Sequence, residues 1–360
     1  MSEGHGLSRR RFLAQLLLLP GAAALASDYP AVVPGRPLRF PGDYGAHPDY
    51  RVEWWYITGW VAGAEGAPVG IQITFFRDRP RLAEDNPSRF APRQLLFAHA
   101  ALADPRLGKL RYAQRAVREG FGLAAATPGT TDVWIDDWSL KLVDRTYVAR
   151  IAARDFRFEI SFAQTQPVMA EGDNGFSRKD RNSASASYYY SEPQLAVSGT
   201  VEAEGRSVSV RGVAWLDHEW SSEPLASEAA GWDWIGLNLA DGGALMAFRM
   251  RARSGGTLWA GGSLRSTDGE TRSFDAGEIA FEARRRWRSP RTGIEYPVAV
   301  AVRAGATQFV LEPLMDDQEL ETLATTGTVY WEGAVRALAA GRELARGYLE
   351  LTGYGKPLRL

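Results

Sequence analysis

Residues 215–222, Trp-Leu-Asp-His-Glu-Trp-Ser-Ser, concentrate side chains that could carry out proton chemistry. Asp217, His218 and Glu219 lie there between two tryptophans, at the end of a predicted strand. Three adjacent ionisable groups in so apolar a setting are costly to bury unless they are paired or hydrated. The segment therefore predicts either a buried hydrogen-bond network or a carboxylic acid whose pKa is raised by burial, so that it can donate a proton.

The side chains of this segment alternate between two faces if it is extended. His218 then shares a face with Trp220, whereas Asp217 and Glu219 share the face of Trp215. Both interpretations of the segment remain open on this pattern, because either face can be buried.

Two other segments repeat the theme of a carboxylate flanked by tryptophan. Residues 53–57 read Glu-Trp-Trp-Tyr-Ile, and residues 231–235 read Gly-Trp-Asp-Trp-Ile. Each leads through a turn to a strand that ends on an aromatic residue and an arginine, at Arg77 and at Arg249. The repeat favours two similar halves, although amphipathic strands also resemble one another by chance.

Other types of chemistry have little support in the sequence. The histidines beyond the N-terminal segment are His47, His99 and His218, and their spacing matches no zinc motif, so a zinc site would need all three brought together. There is no cysteine, no nucleophile elbow for a serine hydrolase and no glycine-rich phosphate loop. We therefore expect no metal and no cofactor. His99 lies alone on an apolar strand face, which is typical of a hydrogen-bonded core histidine.

The elements that must position these groups have a hydrophobic period of two, which is typical of β-strands. Residues 70–77 place Ile71, Ile73 and Phe75 on one face, and residues 244–251 alternate in the same way. Similar runs recur, separated by turn residues, as in antiparallel sandwiches and barrels. The sequence therefore predicts an all-β fold.

Two stretches depart from this pattern. Residues 318–323 are the best short candidate for a helix, since helical periodicity is scarce elsewhere. Residues 191–206 contain Pro193 and polar, glycine-containing sequence, which predicts the linker between the two halves.

The composition narrows the possible partners. The 360 residues are 45% hydrophobic and 24% charged, which is typical of a globular protein with two ordinary domains. Lysine and arginine number 42 against 43 aspartate and glutamate, so there is no electrostatic basis for binding nucleic acid or an anionic membrane. The 12 tryptophans instead favour a wide barrel core or a pocket for an apolar ligand.

The first 26 residues have the pattern of an export signal. Ser-Arg-Arg-Arg-Phe-Leu at residues 8–13 resembles a twin-arginine motif, and it precedes a short apolar run and a cleavage pattern that ends at Ala26. We expect cleavage near Ala26 and a periplasmic location. No stable membrane insertion is expected, because no later run reaches the ~18 apolar residues that a span requires.

Taken together, the segments resemble the AttH/CrtC family of lipocalin-like proteins, whose best-known activity is carotenoid 1,2-hydratase, and the similarity is greater to the secreted AttH branch. The resemblance implies two lipocalin-like antiparallel β-barrel domains, at residues 27–200 and 201–360, with a pocket at or near their interface. The matching blocks are residues 53–59, 72–77, 98–100, 177–179, 186–191, 215–222, 231–234 and 347–354.

The resemblance also implies a reaction, the addition of water to a terminal C=C bond through a carbocation. Asp217 would be the general acid, with His218 orienting it or the water and Glu219 beside them. Aromatic faces would stabilise the cation. The residues predicted to contact the ligand are Glu53, Trp54, Trp55, Tyr56, Arg77, His99, Tyr188, Tyr189, Tyr190, Trp220, Trp232, Asp233 and Trp234.

Three functions remain open at this point. The first is a hydratase that acts on a terpenoid-like or carotenoid-like molecule. The second is a non-catalytic periplasmic carrier of a lipophilic ligand or an envelope assembly factor, which hands its ligand to a transport partner. The third is a secreted hydrolase, for which the sequence offers no motif. The predicted partner is a small hydrophobic molecule in the first two cases, and the oligomeric state stays open.

Overall fold

The computed structural model describes residues 29–64, 66–80, 85–181 and 185–358, and its regular secondary structure is almost entirely β-strand. Strands of the first sheet are β1 (Val52–Ala62), β2 (Val69–Asp78), β3 (Leu95–Ala103), β4 (Arg111–Arg118), β5 (Ala124–Ala126), β6 (Asp132–Ile135), β7 (Trp138–Val143), β8 (Thr146–Ala152), β9 (Phe156–Ala163), β10 (Met169–Ala170), β11 (Phe176–Arg178), β12 (Ala186–Ala203) and β13 (Arg206–Glu223). Strands of the second sheet are β14 (Ala229–Leu239), β15 (Ala244–Ala252), β16 (Thr257–Arg265), β17 (Thr271–Phe274), β18 (Ile279–Arg288), β19 (Glu295–Ala304), β20 (Thr307–Pro313), β21 (Glu319–Thr322), β22 (Thr328–Ala339) and β23 (Arg342–Leu351). Short 3-10 helices in these ranges span Gly42–Tyr44, Pro105–Leu107 and Ala276–Glu278.

Both sheets are antiparallel, which confirms the predicted all-β fold. The first has the order β4-β3-β2-β1-β13-β12-β9-β8-β7-β6-β5, and β10 and β11 pair with β12. It curls so that its ends approach, since Arg115 on β4 donates a 3.0 Å hydrogen bond to the carbonyl of Ile135 on β6. The inward residues of its strands form one apolar core, to which Ile57, Phe75 and Leu216 belong.

The second sheet has the order β17-β16-β15-β14-β23-β22-β20-β19-β18, and β21 pairs with β22. Arg249 on β15 donates a 2.8 Å hydrogen bond to the carbonyl of Phe281 on β18, so this sheet also curls. Its own core includes Ile235, Val300 and Leu349. The chain passes from the first sheet to the second after β13, between residues 223 and 229.

A third apolar cluster lies between the sheets, because several strands of each are buried on both faces. The Nε1 atom of Trp60 on β1 donates to the carbonyl of Gly347 on β23 over 2.9 Å. Gly70 on β2 permits the close approach, since a Cβ there would lie 2.5 Å from the Tyr348 hydroxyl and 2.7 Å from the Cβ of Ala334. This interface contains the site described below.

Two local predictions are wrong. Residues 318–323, predicted as a helix, contain strand β21, which pairs with β22 because tertiary pairing overrides a short periodic pattern. Residues 191–206, predicted as a linker, belong mostly to the long strand β12. A bulge between Glu192 and Leu195 accommodates Pro193 there, so the strand continues past the proline.

The predicted export signal at residues 1–26 lies outside the described residues. Within the ranges given above, no helix is long and apolar enough to cross a membrane.

Candidate functional site

A cavity of about 320 Å³ lies between the two sheets. Its volume is at the lower end of the range of small-molecule sites, roughly 300–1,000 Å³. The first sheet contributes residues from β1, β2, β3 and β13, and the second contributes residues from β14, β15, β22 and β23. Aromatic and carboxyl side chains share the lining, which includes Trp54, Tyr56, Phe76, Phe97, Asp217, Glu219, Trp232, Trp234, Phe248, Glu332 and Glu350.

Polar residues form a straight row across the first sheet. His99 on β3 is the cross-strand partner of Thr74 on β2, Thr74 is the partner of Tyr56 on β1, and Tyr56 is that of Asp217 on β13. All four side chains line the cavity. Since neighbouring strands lie about 4.8 Å apart, the row spans roughly 14 Å, which is enough to contact two parts of one ligand.

The facing row of the second sheet is aromatic at one end and acidic at the other. Trp234 on β14 pairs with Phe248 on β15 and with Glu350 on β23, and Glu350 pairs with Glu332 on β22. The cavity therefore has carboxyl groups on both walls.

Among the described residues, Asp217 has three hydrogen-bond donors around it and no cationic partner. Its Oδ2 accepts from the Tyr189 hydroxyl at 2.7 Å, and its Oδ1 accepts from the Ser191 hydroxyl and from Nε1 of Trp215, both at 2.6 Å. Burial raises the pKa of Asp217 well above its usual range, although these three hydrogen bonds oppose the shift. Burial therefore favours the neutral, protonated form of this carboxyl.

A second carboxyl lies behind Asp217. The Ser191 hydroxyl is 2.6 Å from Asp217 and 2.8 Å from Oε1 of Glu171. One hydroxyl has a single hydrogen, so it can donate to only one of them, and the other contact is favourable only if that carboxyl is protonated. Burial raises the pKa of Glu171 to about 7. Asp217, Ser191 and Glu171 thus form a connected path for a proton.

The cavity also contains an ion pair, between Glu219 and Lys179 at 2.8 Å. The Lys179 ammonium group lies 4.5 Å from the centre of the Phe248 ring and 5.1 Å from that of Tyr189. Among the described residues, this is the only ion pair made by Asp217, Glu219, Glu332 or Glu350. Lys179 therefore compensates one carboxylate and leaves the others without a cation.

Glu332 and Glu350 are the least compensated pair. Burial raises the pKa of both, to about 7 for Glu350, and the charge of Glu350 adds to the shift of Glu332. Nε1 of Trp232 donates to Oε2 of Glu350 over 2.7 Å. Two carboxyls directly opposite each other in an apolar site cannot both ionise readily, so ionisation of one opposes ionisation of the other.

His99 closes the opposite end of the polar row. Its Nδ1 lies 2.8 Å from the Tyr330 hydroxyl and its Nε2 lies 2.9 Å from Oγ1 of Thr325, and both partners belong to the second half of the chain. Burial lowers the pKa of His99 to about 3. It is a neutral, hydrogen-bonded residue that joins the two sheets, in line with the structural interpretation of a lone histidine.

The faces of β1 and β13 that point away from the cavity carry a different network. It lies inside the barrel formed by the first sheet, which we call the first barrel. Oε2 of Glu53 accepts from Nε of Arg77 at 2.9 Å, and its Oε1 lies 2.8 Å from Nδ1 of His47 and 2.9 Å from Nε2 of His218. Burial alone would raise the pKa of Glu53, but Arg77 and the two imidazoles hold it well below its usual range. This carboxylate is ionised and fully compensated.

Within the part of the chain that the structure describes, this network is the one cluster of side chains that could hold a metal ion. Ligand atoms of His47, Glu53 and His218 lie within 4.8 Å of one another, which brings together two of the three histidines. Arg77 already binds the carboxylate, and both imidazoles direct a nitrogen at the same oxygen of Glu53. The donors therefore fit a hydrogen-bonded ion network better than the coordination sphere of a cation.

The internal repeat has a structural counterpart in the second barrel. Asp233 on β14 is the cross-strand partner of Arg249, as Glu53 is the partner of Arg77. Arg249 binds Asp233 at 2.6 Å and Arg251 binds it at 2.9 Å. Each half thus places a carboxylate–arginine pair on the inward face of the strand that carries the tryptophans.

The structure separates the predicted site residues into two groups. Those that line the cavity are Glu53, Trp54, Tyr56, Arg77, His99, Asp217, Glu219, Trp232 and Trp234, although the charged groups of Glu53 and Arg77 bind each other. The others lie behind the wall or inside a barrel, and they are Trp55, Tyr188, Tyr189, Tyr190, His218, Trp220 and Asp233. Of these, Tyr189 donates to the cavity carboxyl of Asp217, and His218 bonds to that of Glu53 from the barrel side.

The prediction that His218 orients Asp217 is wrong. Successive residues of a strand point to opposite faces, so His218 points into the first barrel while Asp217 points into the cavity. The ring nitrogens of His218 bond to Glu53 and Tyr190, and its ring stacks on Trp55 at 4.7 Å.

Several cavity residues were not predicted. Glu332 follows Tyr330 and Trp331, and Glu350 follows Tyr348, so both repeat the pattern of a carboxylate among aromatic residues that marked the other segments. Lys179 lies in a block quoted for the family resemblance but showed no chemical signal of its own. Thr325 lies in a threonine-rich turn, in which nothing local indicates a role.

Comparison with known proteins identifies the family. The AttH-like family profile matches residues 31–354, so the chain belongs to the AttH-like family. No protein with a curated functional description matches the chain in sequence.

Solved structures share the fold. The crystal structure of a Nitrosomonas europaea protein assigned as an AttH is 50% identical, with a TM-score of 0.85, over 90% of this chain and 99% of that one. Kievitone hydratase from Nectria haematococca is 13% identical, with a TM-score of 0.69, over 91% and 97% of the two chains. CghA is 13% identical, with a TM-score of 0.51, over 90% and 94%. The lipocalin-like architecture is thereby confirmed, and the last two show a common fold alone.

Proposed function

We propose that this AttH-like protein binds an apolar small molecule in the cavity between its sheets and adds water to a C=C bond of that molecule. The observation that carries the proposal is the state of the cavity carboxyls. Asp217, Glu332 and Glu350 lie among tryptophans and tyrosines without a cation, and burial raises the pKa of each. A carboxyl that is neutral at pH 7 can act as a general acid.

The reaction needs a proton donor, a cation-stabilising wall and a water. Asp217 gives its proton to one alkene carbon, and a carbocation forms at the other. A water molecule adds to the cation, and its surplus proton returns to the carboxylate, so that the net change is the addition of H₂O. Ser191 and Glu171 form the hydrogen-bonded path through which Asp217 can be reprotonated.

The walls suit the intermediate of this reaction. Indole and phenol faces attract a positive charge, and Trp54, Tyr56 and Trp232 all line the cavity. The low dielectric constant beside apolar walls strengthens each of these interactions. The fold itself is compatible with hydration, since kievitone hydratase shares it, but a shared fold does not determine the reaction.

The test is product analysis with labelled water. The purified protein is incubated with terpenoid alkenes from geraniol to lycopene in H₂¹⁸O, and products are separated by liquid chromatography and mass spectrometry. We expect a product that has gained one labelled water without loss of carbon. Asp217→Asn should lower its formation by about 10²-fold or more, the contribution of a general acid. Asp155→Asn, at an exposed turn, should leave it unchanged.

The result that contradicts the proposal is equally concrete. If the Asp217→Asn variant hydrates the alkene as fast as the unmodified protein, Asp217 is not the acid. If the unmodified protein hydrates none of the alkenes tested, the protein does not catalyse this reaction on them. Water gained with cleavage of a bond would indicate a hydrolase instead.

A non-catalytic carrier is the second candidate, because both oxygens of Asp217 already accept hydrogen bonds from the protein. A carrier predicts that Asp217→Asn changes stability but not ligand affinity. In both cases Trp232→Leu should weaken binding of a fluorescent fatty acid or terpenoid, whereas Trp134→Leu, on β6 away from the cavity, should not. Binding without turnover would favour the carrier and a transport partner in the envelope.

We also propose that the protein is exported, on the basis of residues 1–26 alone. Arg9→Lys with Arg10→Lys should retain the full-length precursor in the cytoplasm, as measured by cell fractionation. Periplasmic accumulation of the double variant would contradict a twin-arginine route.

A further inference from the structure

The carboxyls of Glu332 and Glu350 face each other across β22 and β23, on the wall opposite Asp217. Glu332 is 3% exposed, and what remains accessible of Glu350 borders the cavity. Antiparallel partners lie close enough for their charges to repel one another. Proton donation by Asp217 does not require Glu332 and Glu350. The burial of these two carboxyls side by side is costly and must therefore have another cause.

Two polar atoms beside this pair have no hydrogen bond of good geometry among the described residues. They are Oε1 of Glu332 and the hydroxyl of Tyr56, which faces Glu332 from β1 closely enough to oppose the rise in the pKa of Glu332. Buried polar atoms without partners are costly, and in a cavity wall they are the atoms that a ligand can satisfy.

The charged and titratable groups that face the pair come from every element packed against it. They are Tyr56 on β1, Asp217 and Glu219 on β13, Tyr330 on β22, Tyr348 on β23, and Lys179. Lys179 is bound to Glu219, and the phenols and Asp217 carry no positive charge. The pair therefore lies in a site where a positive charge is missing.

We propose that Glu332 and Glu350 form a cation-binding subsite of the cavity, which takes the protonated amino group of a small apolar amine and holds the positive charge that develops on the ligand during hydration. The second part rests on the proposed function, whereas amine binding does not. An organic ammonium group fits better than a hydrated metal ion because Trp232 and Trp234 border the site, and aromatic faces favour a weakly hydrated cation.

The subsite predicts a dependence on pH. Burial raises the pKa of Glu350 to about 7, with Glu219 adding to the shift, while the hydrogen bond from Trp232 opposes it. Below that value the pair holds two protons and has no net charge. Above it the pair holds one proton or none and attracts an ammonium ion. Affinity for a cation should therefore rise as pH increases through neutrality, whereas affinity for a neutral isostere should not.

The experiment compares N,N-dimethylgeranylamine, which stays protonated at pH 8, with geranyl methyl ether. Their dissociation constants are measured by quenching of tryptophan fluorescence from pH 5 to pH 8. We expect the amine to bind about tenfold more tightly than the ether at pH 8. The preference should fall towards one at pH 5. Glu350→Gln and Glu332→Gln should each reduce the preference at pH 8 and retain the affinity for the ether.

Glu343→Gln is the matched control, because Glu343 lies on the same strand β23 but is exposed and pairs with Arg346. It should preserve the preference for the amine. The pH dependence of the unmodified protein stands without any variant, so a poorly folded variant does not prevent the test. Equal affinities at every pH, a preference that survives both glutamine variants, or no binding of either probe would overturn the subsite. Amine binding without any hydration product would retain the subsite and remove only its role in hydration.

Discussion

Glu53 and Asp217 lie on neighbouring strands and are both flanked by tryptophan, yet they meet opposite conditions. Glu53 points into the first barrel, where Arg77 and two imidazoles hold it ionised. Asp217 points into the cavity, where hydroxyl and indole donors surround it and burial raises its pKa, which favours the neutral form. The difference shows that burial of a carboxylate is not in itself a sign of chemistry. The presence or absence of a compensating cation separates the structural group from the reactive one.

The largest effect on stability should come from removing the cation that neutralises Glu53 inside the first barrel. Arg77→Met removes the permanent cation from the buried carboxylate of Glu53 and leaves it only the two imidazoles, so the free energy of unfolding should fall by about 3–5 kcal/mol. Urea unfolding followed by tryptophan fluorescence measures it. Arg284→Met, in an exposed pair with Glu282, should change it by less than about 1 kcal/mol. If Arg77→Met lowers the free energy of unfolding as little as the control does, the compensating cation does not distinguish the Glu53 face from the Asp217 face.

A sharper comparison uses the same substitution on both kinds of carboxyl. Asp233→Asn leaves Arg249 and Arg251 without their common partner and should lower the free energy of unfolding by about 2–3 kcal/mol. Asp217→Asn should lower it by less than about 1 kcal/mol, because an amide reproduces the hydrogen bonds of a protonated carboxyl. The reverse order in urea unfolding would show that Asp217 is ionised in the folded protein.

The smallest effect is in the pH dependence of stability. Glu171 and Glu350 titrate at about 7 in the folded chain against an ordinary value of 4.5, so the folded state binds more protons. The stabilisation that these two protonated carboxyls give the folded state is complete below about pH 4.5 and is lost as pH rises through about 7. Asp43 has the opposite sign: its pKa is lowered to about 2, so its contribution is lost as pH falls below its ordinary value of 3.8.

Glu350→Gln should reduce the loss of stability between pH 5 and pH 7.5 by about 2 kcal/mol, and Glu343→Gln should not change it. Urea midpoints at intervals of pH give the slope. A slope that is identical in the wild type and in Glu350→Gln would mean that Glu350 is ionised throughout.

Strand faces were predictable from the sequence because alternation is local. The two faces of residues 215–222 are those expected, and the repeated carboxylate–arginine pattern corresponds to real cross-strand pairs at Arg77 and Arg249. The pairing of Glu332 with Glu350 opposite Asp217 depends on how two curled sheets pack, and no local pattern carries that information. His218 cannot orient Asp217, because successive residues of a strand point to opposite faces.

The short β21 and the long β12 show where local patterns mislead. Residues 319–322 are too few for periodicity to decide between helix and strand, and pairing with β22 decides it. Pro193 predicts an interruption, but a bulge absorbs it while the strand continues.

The account depends most directly on neutral carboxyl groups in the cavity at physiological pH. Infrared spectroscopy detects them through the carbonyl stretching band of protonated carboxylic acids, which ionised carboxylates lack. We predict that this band is present at pH 7, weakens in Asp217→Asn and in Glu332→Gln, and is unchanged in Glu343→Gln. A spectrum without the band at pH 7, or a band that both cavity variants leave unchanged, would contradict the account.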